Sequence, residues 1–329
     1  MKKHFIGIDV SKKKLDLWLY QSNDHRIFSN DSEGFTRMYA WVRRMFSTTQ
    51  SLVFCLEHTG KYDVALSLFL QQKQLCYYKV SGLEVKRSMG IKRGKNDKVD
   101  ARDLARYAYL FKEEITPYQM PCKVLRQIKQ LLAHRAKLVR QRAAHKASLK
   151  ENQTVLGPEA FELIEQSSRQ IICFLSQQIK QVENVISQLV AQDTVLSSTY
   201  NLLTSIQGVG PVIGVTMIVE TQNFNAFDNA RKFACFAGIA PFEHTSGTST
   251  RGQTRISGLG NRRIKALLSS AASIAIVHNP ELKAYYQRRL QEQKNKRSTL
   301  NVVRNKLVQR MFAVVKRGTP YVELYKFAA

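Results

Sequence analysis

The sequence predicts an α/β domain followed by a mostly helical remainder, and three stretches carry that reading. In Phe5-Ile-Gly-Ile-Asp-Val10, Ile6, Ile8 and Val10 share one face of a strand, and Phe5, Gly7 and Asp9 share the other. Ser51-Leu-Val-Phe-Cys-Leu-Glu57 is apolar up to its last residue, as expected of a central strand buried on both faces. Ile172, Leu175, Ile179, Val182, Ile186 and Leu189 step by 3, 4, 3, 4 and 3, a heptad seam by which long helices pack on each other or on another subunit.

The remaining elements follow in order. After the basic turn Ser11–Lys14, Leu15, Leu17 and Leu19 alternate again, so the first two runs form an antiparallel hairpin. His25–Asn30 supplies a third short strand, and Asp31 or Ser32 caps a helix reaching about Phe46. His58–Tyr62 turns into a helix, and Leu75–Val80 is another strand. Two more helices follow, the second from Asp97 to Phe111. The result is a mixed sheet with helices over it. Composition shifts set the domain boundaries: 1–116 for the sheet, 117–200 for basic and heptad helices broken at Gly157-Pro158, and 201–329 for the helical C-terminal part.

Charge narrows the function classes. Lys plus Arg number 51 against 25 Asp plus Glu, a formal +26, which favours a polyanion and, among polyanions, nucleic acid over a membrane surface. No apolar run is long enough to span a membrane, and the N-terminus has no signal-peptide core. The five cysteines are scattered without a C-x-x-C pair, as in a reducing compartment, and the histidines show no metal-ligand spacing. A soluble, intracellular, nucleic-acid-directed protein is expected.

The carboxylates carry the chemistry. A carboxylate within an apolar strand must be solvated, paired or bound to a cation. Gly7, two residues before Asp9, leaves that face free of side chain and open to a bulky ligand. Asp9 and Glu57 meet at the carboxyl ends of parallel strands if those strands are neighbours. Asp100 and Asp103, three apart on a helix, project from one face. Four carboxylates from three elements suit a pair of divalent cations cleaving a phosphodiester, and oxygen-only donors suit Mg²⁺. The competing account makes Asp9 a strand end, and Asp100 and Asp103 a solvated helix face paired locally with Arg102 and Arg106.

Three basic segments complete the picture. Residues 121–150 hold nine Lys or Arg and no acid, a helical run that is either a solvated face or a phosphate contact. In Ser205-Ile-Gln-Gly-Val-Gly-Pro211, Gly208 and Gly210 permit a tight turn and Pro211 opens the next helix, a hairpin able to offer backbone N–H groups to phosphates. A polar segment, residues 244–263, then reads as a long loop between apolar helices, with no acid between Glu243 and Glu281. Ser246 before Gly247 is either an exposed nucleophile or a turn residue, and spacing alone favours the turn. The second basic segment, residues 251–265, carries five basic residues, and the third is the C-terminal helix region, residues 294–317. Phosphate contacts are expected from Lys92, Arg93, Lys95, Arg135, Arg142, Gly208, Gly210, Arg251, Arg255, Asn261, Arg262, Arg263 and Lys265.

Jointly these motifs resemble one family over nearly the whole chain. Gly-Ile-Asp9-Val, Leu-Glu57-His-Thr-Gly-Lys-Tyr and Lys95-Asn-Asp-Lys-Val-Asp100-Ala-Arg-Asp103 resemble the Asp-Glu-Asp-Asp site of the transposases and recombinases of IS-one-ten insertion sequences, a family that includes pilin-gene inverting recombinases. Gly208-Val-Gly-Pro, Ala237-Gly-Ile-Ala-Pro, Thr245-Ser246-Gly247 and Gly260-Asn-Arg-Arg resemble its second domain. The resemblance implies a RuvC-like (RNase H-like) metal domain, coiled-coil linker helices and a helical transposase domain. It implies that Asp9, Glu57, Asp100 and Asp103 hold Mg²⁺ while Ser246 attacks DNA and forms a covalent phosphoserine. It also implies double-stranded donor and target DNA, a structured guide (bridge) RNA for many members, a homo-oligomer from dimer to tetramer, and a bacterial cytoplasmic setting at the nucleoid.

The rivals differ in chemistry. An actin-like ATPase or sugar kinase shares the Gly-Ile-Asp-Val opening but needs a second Gly-rich phosphate loop and an adenosine pocket, neither of which occurs before residue 200. A metal-dependent junction resolvase or nuclease uses water in place of serine. A Piv-like invertase dispenses with guide RNA, and a non-catalytic nucleic-acid scaffold keeps its carboxylates for structure.

Overall fold

The computed structural model describes residues 3–46, 51–58, 60–90, 94, 96–246 and 250–322. Its contacts divide the chain into two compact units, 1–120 and 121–329.

The first unit runs β1 (His4–Val10), β2 (Lys14–Leu19), β3 (His25–Ser29), α1 (Ser32–Met45), β4 (Leu52–Glu57), α2 (Val64–Gln72), β5 (Cys76–Val80), α3 (Gly82–Ser88) and α4 (Asp97–Leu110). The strands make one mixed sheet in the order β3-β2-β1-β4-β5, with β1–β4 and β4–β5 parallel and the two hairpin pairs antiparallel. The period-2 pattern decides which side each residue serves. Ile6, Ile8, Leu15 and Leu17 bury against Phe35, Met38, Val42, Leu66 and Leu70 of α1 and α2. Phe5, Val53, Cys55 and Tyr78 bury against Leu104, Tyr107 and Ala108 of α4. Two side chains fix the starts of the helices that matter. Asp31 accepts from the Gly34 N–H at 2.7 Å to open α1, and Asn96 accepts from the Val99 N–H at 2.8 Å to open α4.

The second unit runs α5 (Lys123–Val155), α6 (Pro158–Gln192), α7 (Thr194–Thr204), α8 (Pro211–Glu220), α9 (Ala230–Phe236), β6 (Pro241–Ser246), β7 (Thr250–Ile256), α10 (Arg262–His278), α11 (Pro280–Gln291) and α12 (Lys296–Arg317). α5 and α6 fold back on each other: Arg135 bonds Glu183 and Arg142 bonds Ser176, a descending register that makes the pair antiparallel. Leu175 and Ile179 of the heptad seam bury against Leu138 of α5, so at these positions the seam is satisfied within the chain. Ile186 and Val190 join Leu125, Ile128 and Leu132 in the core that α7 to α12 build around Phe233, Leu268, Val303 and Met311. No described helix is long and apolar enough to cross a membrane.

The polar segment expected as a loop is instead an antiparallel two-stranded ribbon, β6 against β7, and this corrects the sequence reading. Its Thr, Arg and Ile256 residues tolerate extended backbone. With little apolar content on either face, however, the alternation that identifies a strand was missing.

Candidate active site

Asp9 lies near the carboxyl end of β1 and Glu57 ends the adjacent parallel β4, where Ile8 pairs with Leu56. Val53 and Cys55 bury on the α4 side of the sheet, so the alternation puts Glu57 on the same side as Asp9. Gly7 sets the third element. A β-carbon at Gly7 would collide with the Ala101 carbonyl oxygen and the Ala105 nitrogen, so the backbone of α4 rests directly on β1. The space left by Gly7 is therefore filled by α4 and not by a ligand, which corrects the sequence expectation. The consequence is local: Asp100 and Asp103 flank Ala101 and come down beside the strand ends.

Glu57, Asp100 and Asp103 line one small cleft of about 70 Å³ with Gly82, Val85, Lys86 and Leu104. The Glu57 carboxyl lies against Gly82, where a β-carbon would overlap it. Asp103 is buried, and the Arg102 guanidinium stands 3.9 Å away. The Asp9 carboxyl is pushed up to about 6, first by burial, then by the negative charges of Asp97, Asp100, Glu57 and Asp16. Among the described residues no group of three or more His, Cys, Asp or Glu side chains is arranged to hold a metal ion as it stands. The donor set nonetheless suits a hard divalent cation, because every donor is a carboxylate oxygen and their mutual repulsion at Asp9 is what a bound cation relieves.

Two further carboxylates belong to this corner. Asp16 pairs with Asp9 across the β1–β2 hairpin and is almost fully buried, and Asp97 opens α4. Lys14 bridges them, with its Nζ 3.1 Å from Asp16 Oδ2 and 2.7 Å from Asp97 Oδ2. These two bonds raise the Lys14 pKa. His25 Nε2 meets the other Asp16 oxygen at 3.0 Å. Of these six carboxylates, Asp16 and Asp97 share an internal lysine, and Asp9, Glu57, Asp100 and Asp103 lie toward the strand ends. The hairpin reading contained the signal for Asp16, since Asp16, Trp18 and Tyr20 fall opposite Asp9, Gly7 and Phe5. Asp97 lies three before Asp100 on the same helix face.

The basic residues separate into groups. Lys92, Arg93 and Lys95 lie outside the described residues. The run 121–150 does find acids, contrary to the local reading. Arg135 pairs with Glu183 of α6 at 2.6 Å and Lys129 stands 3.9 Å from Glu220 of α8. Arg142 donates to Ser176 Oγ at 3.1 Å. Gly208 has φ +92° and packs against Ala271 and Ala275 of α10, so part of its role is structural, whereas Gly210 opens α8 with free space around it. Asn261 caps α10, accepting from the Arg263 and Ile264 N–H groups. Arg255, Arg262 and Arg263 are exposed, and Lys265 is partly so. The backbone of Ser246 ends β6 opposite Thr250, and Arg251 lies on β7. The side chains of Ser246 and Arg251, and all of Gly247–Ser249, lie outside the described residues.

Two of the four C-terminal motifs, Ala237–Pro241 and Gly260–Arg263, meet in the structure. Gly238 and Gly260 touch backbone to backbone, leaving no room for a β-carbon at Gly260, and the Asn261 N–H donates to the Phe236 carbonyl at 2.9 Å. Asn301 and Asn305 of α12 both donate to the Ile239 carbonyl, at 2.8 and 3.0 Å. This lattice anchors the base of the ribbon. The roomiest cavity, about 620 Å³, lies elsewhere, lined by Leu132, Ile186, Val190, Tyr200 and Val215 around the Arg135–Glu183 pair. Its mostly apolar lining suits a small molecule, whereas the small carboxylate cleft holds the oxygen donors a cation needs, so size does not locate the chemistry here.

Comparison with known proteins places this geometry. A transposase profile of the DEDD, IS110 type matches residues 6–156, and the profile described as "Transposase IS116/IS110/IS902 family" matches residues 200–287. The pilin gene-inverting proteins of Moraxella bovis and Moraxella lacunata are each 29% identical over 328 residues, covering 98% of this chain and of theirs. An insertion element IS110 uncharacterized 43.6 kDa protein of Streptomyces coelicolor is 30% identical over 120 residues, 36% of this chain and 29% of its own length. The fold, the carboxylate corner and these matches define a DNA recombinase acting by phosphoryl transfer. The chain carries both IS110-family transposase domains, in order.

Proposed function

We propose that the chain cleaves and exchanges DNA strands through Ser246, with Asp9, Glu57, Asp100 and Asp103 holding Mg²⁺ on a RuvC-like sheet. The observation that carries this reading is the convergence of β1, β4 and α4 on one carboxylate corner, while the serine sits in a separate ribbon whose one carboxylate is Glu243, with none from Thr245 to Pro280. Mg²⁺, as one ion or a pair, would supply charge neutralisation at the attacked phosphate. The protein's own part is to present the serine. The Ser246 hydroxyl attacks phosphorus, a Ser–O–P bond forms, a phosphodiester P–O bond breaks, and the departing DNA oxygen takes up a proton. A serine hydroxyl needs a base, and no carboxylate occurs from Thr245 to Pro280. The carboxylate corner of another subunit therefore takes the serine proton, in a homo-oligomer of two to four chains. The exposed Arg255, Arg262 and Arg263, with Lys265, hold the phosphate backbone. A bridge RNA that pairs with donor and target DNA completes the reading. The three-part division at 117 and 201 stands as part of it, with the α5–α6 hairpin as the oligomerising coiled coil.

Site-specific inversion is the second reading, favoured by one observation. The pilin gene-inverting proteins are 29% identical over 98% of the chain, against 22% over 95% for a putative transposase of Sinorhizobium fredii. Peptide mapping of covalent protein–DNA adducts tests the chemistry shared by both. DNA attached to the peptide containing Ser246 is expected, and adducts on another residue, or cleavage without adducts, would point to another nucleophile or to a water-using nuclease. Activity with and without RNA transcribed from the flanking DNA separates transposition from inversion.

A further inference from the structure

The ribbon stands on an apolar hollow that the cleavage reading leaves unused. Cys235, Phe236, Phe242, Arg255, Ile256 and the turn 257–260 enclose about 600 Å³, within the range of ligand pockets. Phe236, Phe242, Ile256 and Leu259 are 41, 43, 38 and 61% exposed. One exposed apolar residue means little, but four around a single hollow mark an interaction site. Phe242 and Arg255 pair in register across the two strands, and both line the hollow. The floor is rigid: the contact of Gly238 with Gly260 and the Asn261-to-Phe236 hydrogen bond fix the turn against α9.

We propose that this hollow receives one unstacked base of the DNA strand being cleaved. Aromatic faces and arginine planes are the surfaces on which splayed bases stack. DNA is the occupant because the chain acts on DNA, and because the chain from residue 244 to residue 280 is basic without an acid. Phe242 is four residues from Ser246, about 13 Å along an extended strand. That is at most about four nucleotide steps at the 3.4 Å rise of stacked DNA, and fewer on an unstacked strand. A base held there fixes which phosphate reaches the serine. The inference rests on the proposal that the ribbon faces DNA.

The test uses the full chain carrying Phe242→Trp, titrated with oligothymidylate, with oligouridylate, and with a deoxyribose-phosphate oligomer of equal length lacking bases. Oligothymidylate is expected to quench the new indole and the baseless oligomer to leave it unchanged. Phe242→Leu should weaken oligothymidylate binding about tenfold, the size of one lost stacking contact, while binding of the baseless oligomer stays as in the parent. Salt-sensitive oligothymidylate binding without quenching would overturn the hollow and leave the DNA-facing ribbon standing. Failure of both deoxy-oligomers to bind would remove both. Stronger quenching by oligouridylate would assign the hollow to RNA. A concentration-dependent sedimentation shift abolished by Phe242→Leu would assign it to a second copy of the chain, and either result overturns the proposal.

Discussion

The carboxylate corner and the serine ribbon solve opposite problems. At the corner, like charges are forced together by packing that leaves no alternative: Gly7 admits the backbone of α4, Asn96 fixes where α4 begins, and Lys14 occupies the gap between Asp16 and Asp97. The ribbon projects basic and apolar side chains outward from an anchored base and has no carboxylate from Thr245 to Pro280. One region stores negative charge with a built-in counterion, and the other is basic with Glu243 as its one carboxylate. The contrast fits the proposed division of the chemistry, in which the ribbon brings the nucleophile and the corner brings the means to activate it.

The largest expected effect comes from the corner's charge. Asp9→Asn or Asp100→Asn should lower strand cleavage by at least about a thousandfold, as removal of one member of a catalytic unit does, while DNA binding measured by anisotropy stays near the parent value. Equal losses in binding and cleavage would make these carboxylates structural.

Packing comes next. Gly7→Ala forces a β-carbon into the Ala101 carbonyl and should cost about 1–3 kcal/mol in urea unfolding, with loss of Mg²⁺-dependent activity as α4 lifts. Gly210→Ala, with ordinary φ and nothing within 4 Å of the new methyl, should leave stability unchanged to within about 0.5 kcal/mol. Similar costs at both glycines would undo the argument that Gly7 seats the helix.

Lys14 separates charge from packing. Lys14→Met should raise the Mg²⁺ concentration for half-maximal cleavage about tenfold, the size of an outer-shell loss, and Lys14→Arg should restore most of it. An unchanged metal titration would mean that the bridge to Asp16 and Asp97 does not position α4.

The smallest effect is a pH dependence. The folded Asp9 carboxyl, pushed up to about 6 from 3.8, binds its proton more tightly than in the unfolded chain. Its stabilising contribution is therefore complete below about pH 4 and lost as pH rises through 6. In chelator, Asp9→Asn should be more stable than the parent above pH 6, by about 1–2 kcal/mol after solvent screening, and no more stable below pH 4. For the same reason Mg²⁺ binding should weaken as pH falls through 6, because proton and cation compete for one carboxylate. A stability difference that ignores pH would remove the electrostatic cause.

The sequence made the first unit legible because strand alternation, Asp31 and the apolar run before Glu57 all report local physics. Asp16 was equally legible once the hairpin register was drawn. Lys14 was not, since its second partner, Asp97, lies 83 residues away in the chain. The acids that pair with the basic run were hidden for the same reason: Glu183 and Glu220 arrive from other helices. The ribbon was hidden by composition, because Gly, Ser, Thr and Arg describe a loop as well as a solvated hairpin. Gly7 was noticed for the right property, the missing side chain, and assigned the wrong neighbour.

The division of labour is tested most directly by mixing two inactive proteins. Asp9→Asn keeps the serine and Ser246→Ala keeps the carboxylates, and each alone should give neither cleavage nor covalent adduct while binding DNA. Mixed on one DNA substrate, they should recover cleavage, with every adduct on the Asp9→Asn chain. Cleavage with adducts by the Ser246→Ala protein alone would contradict the account.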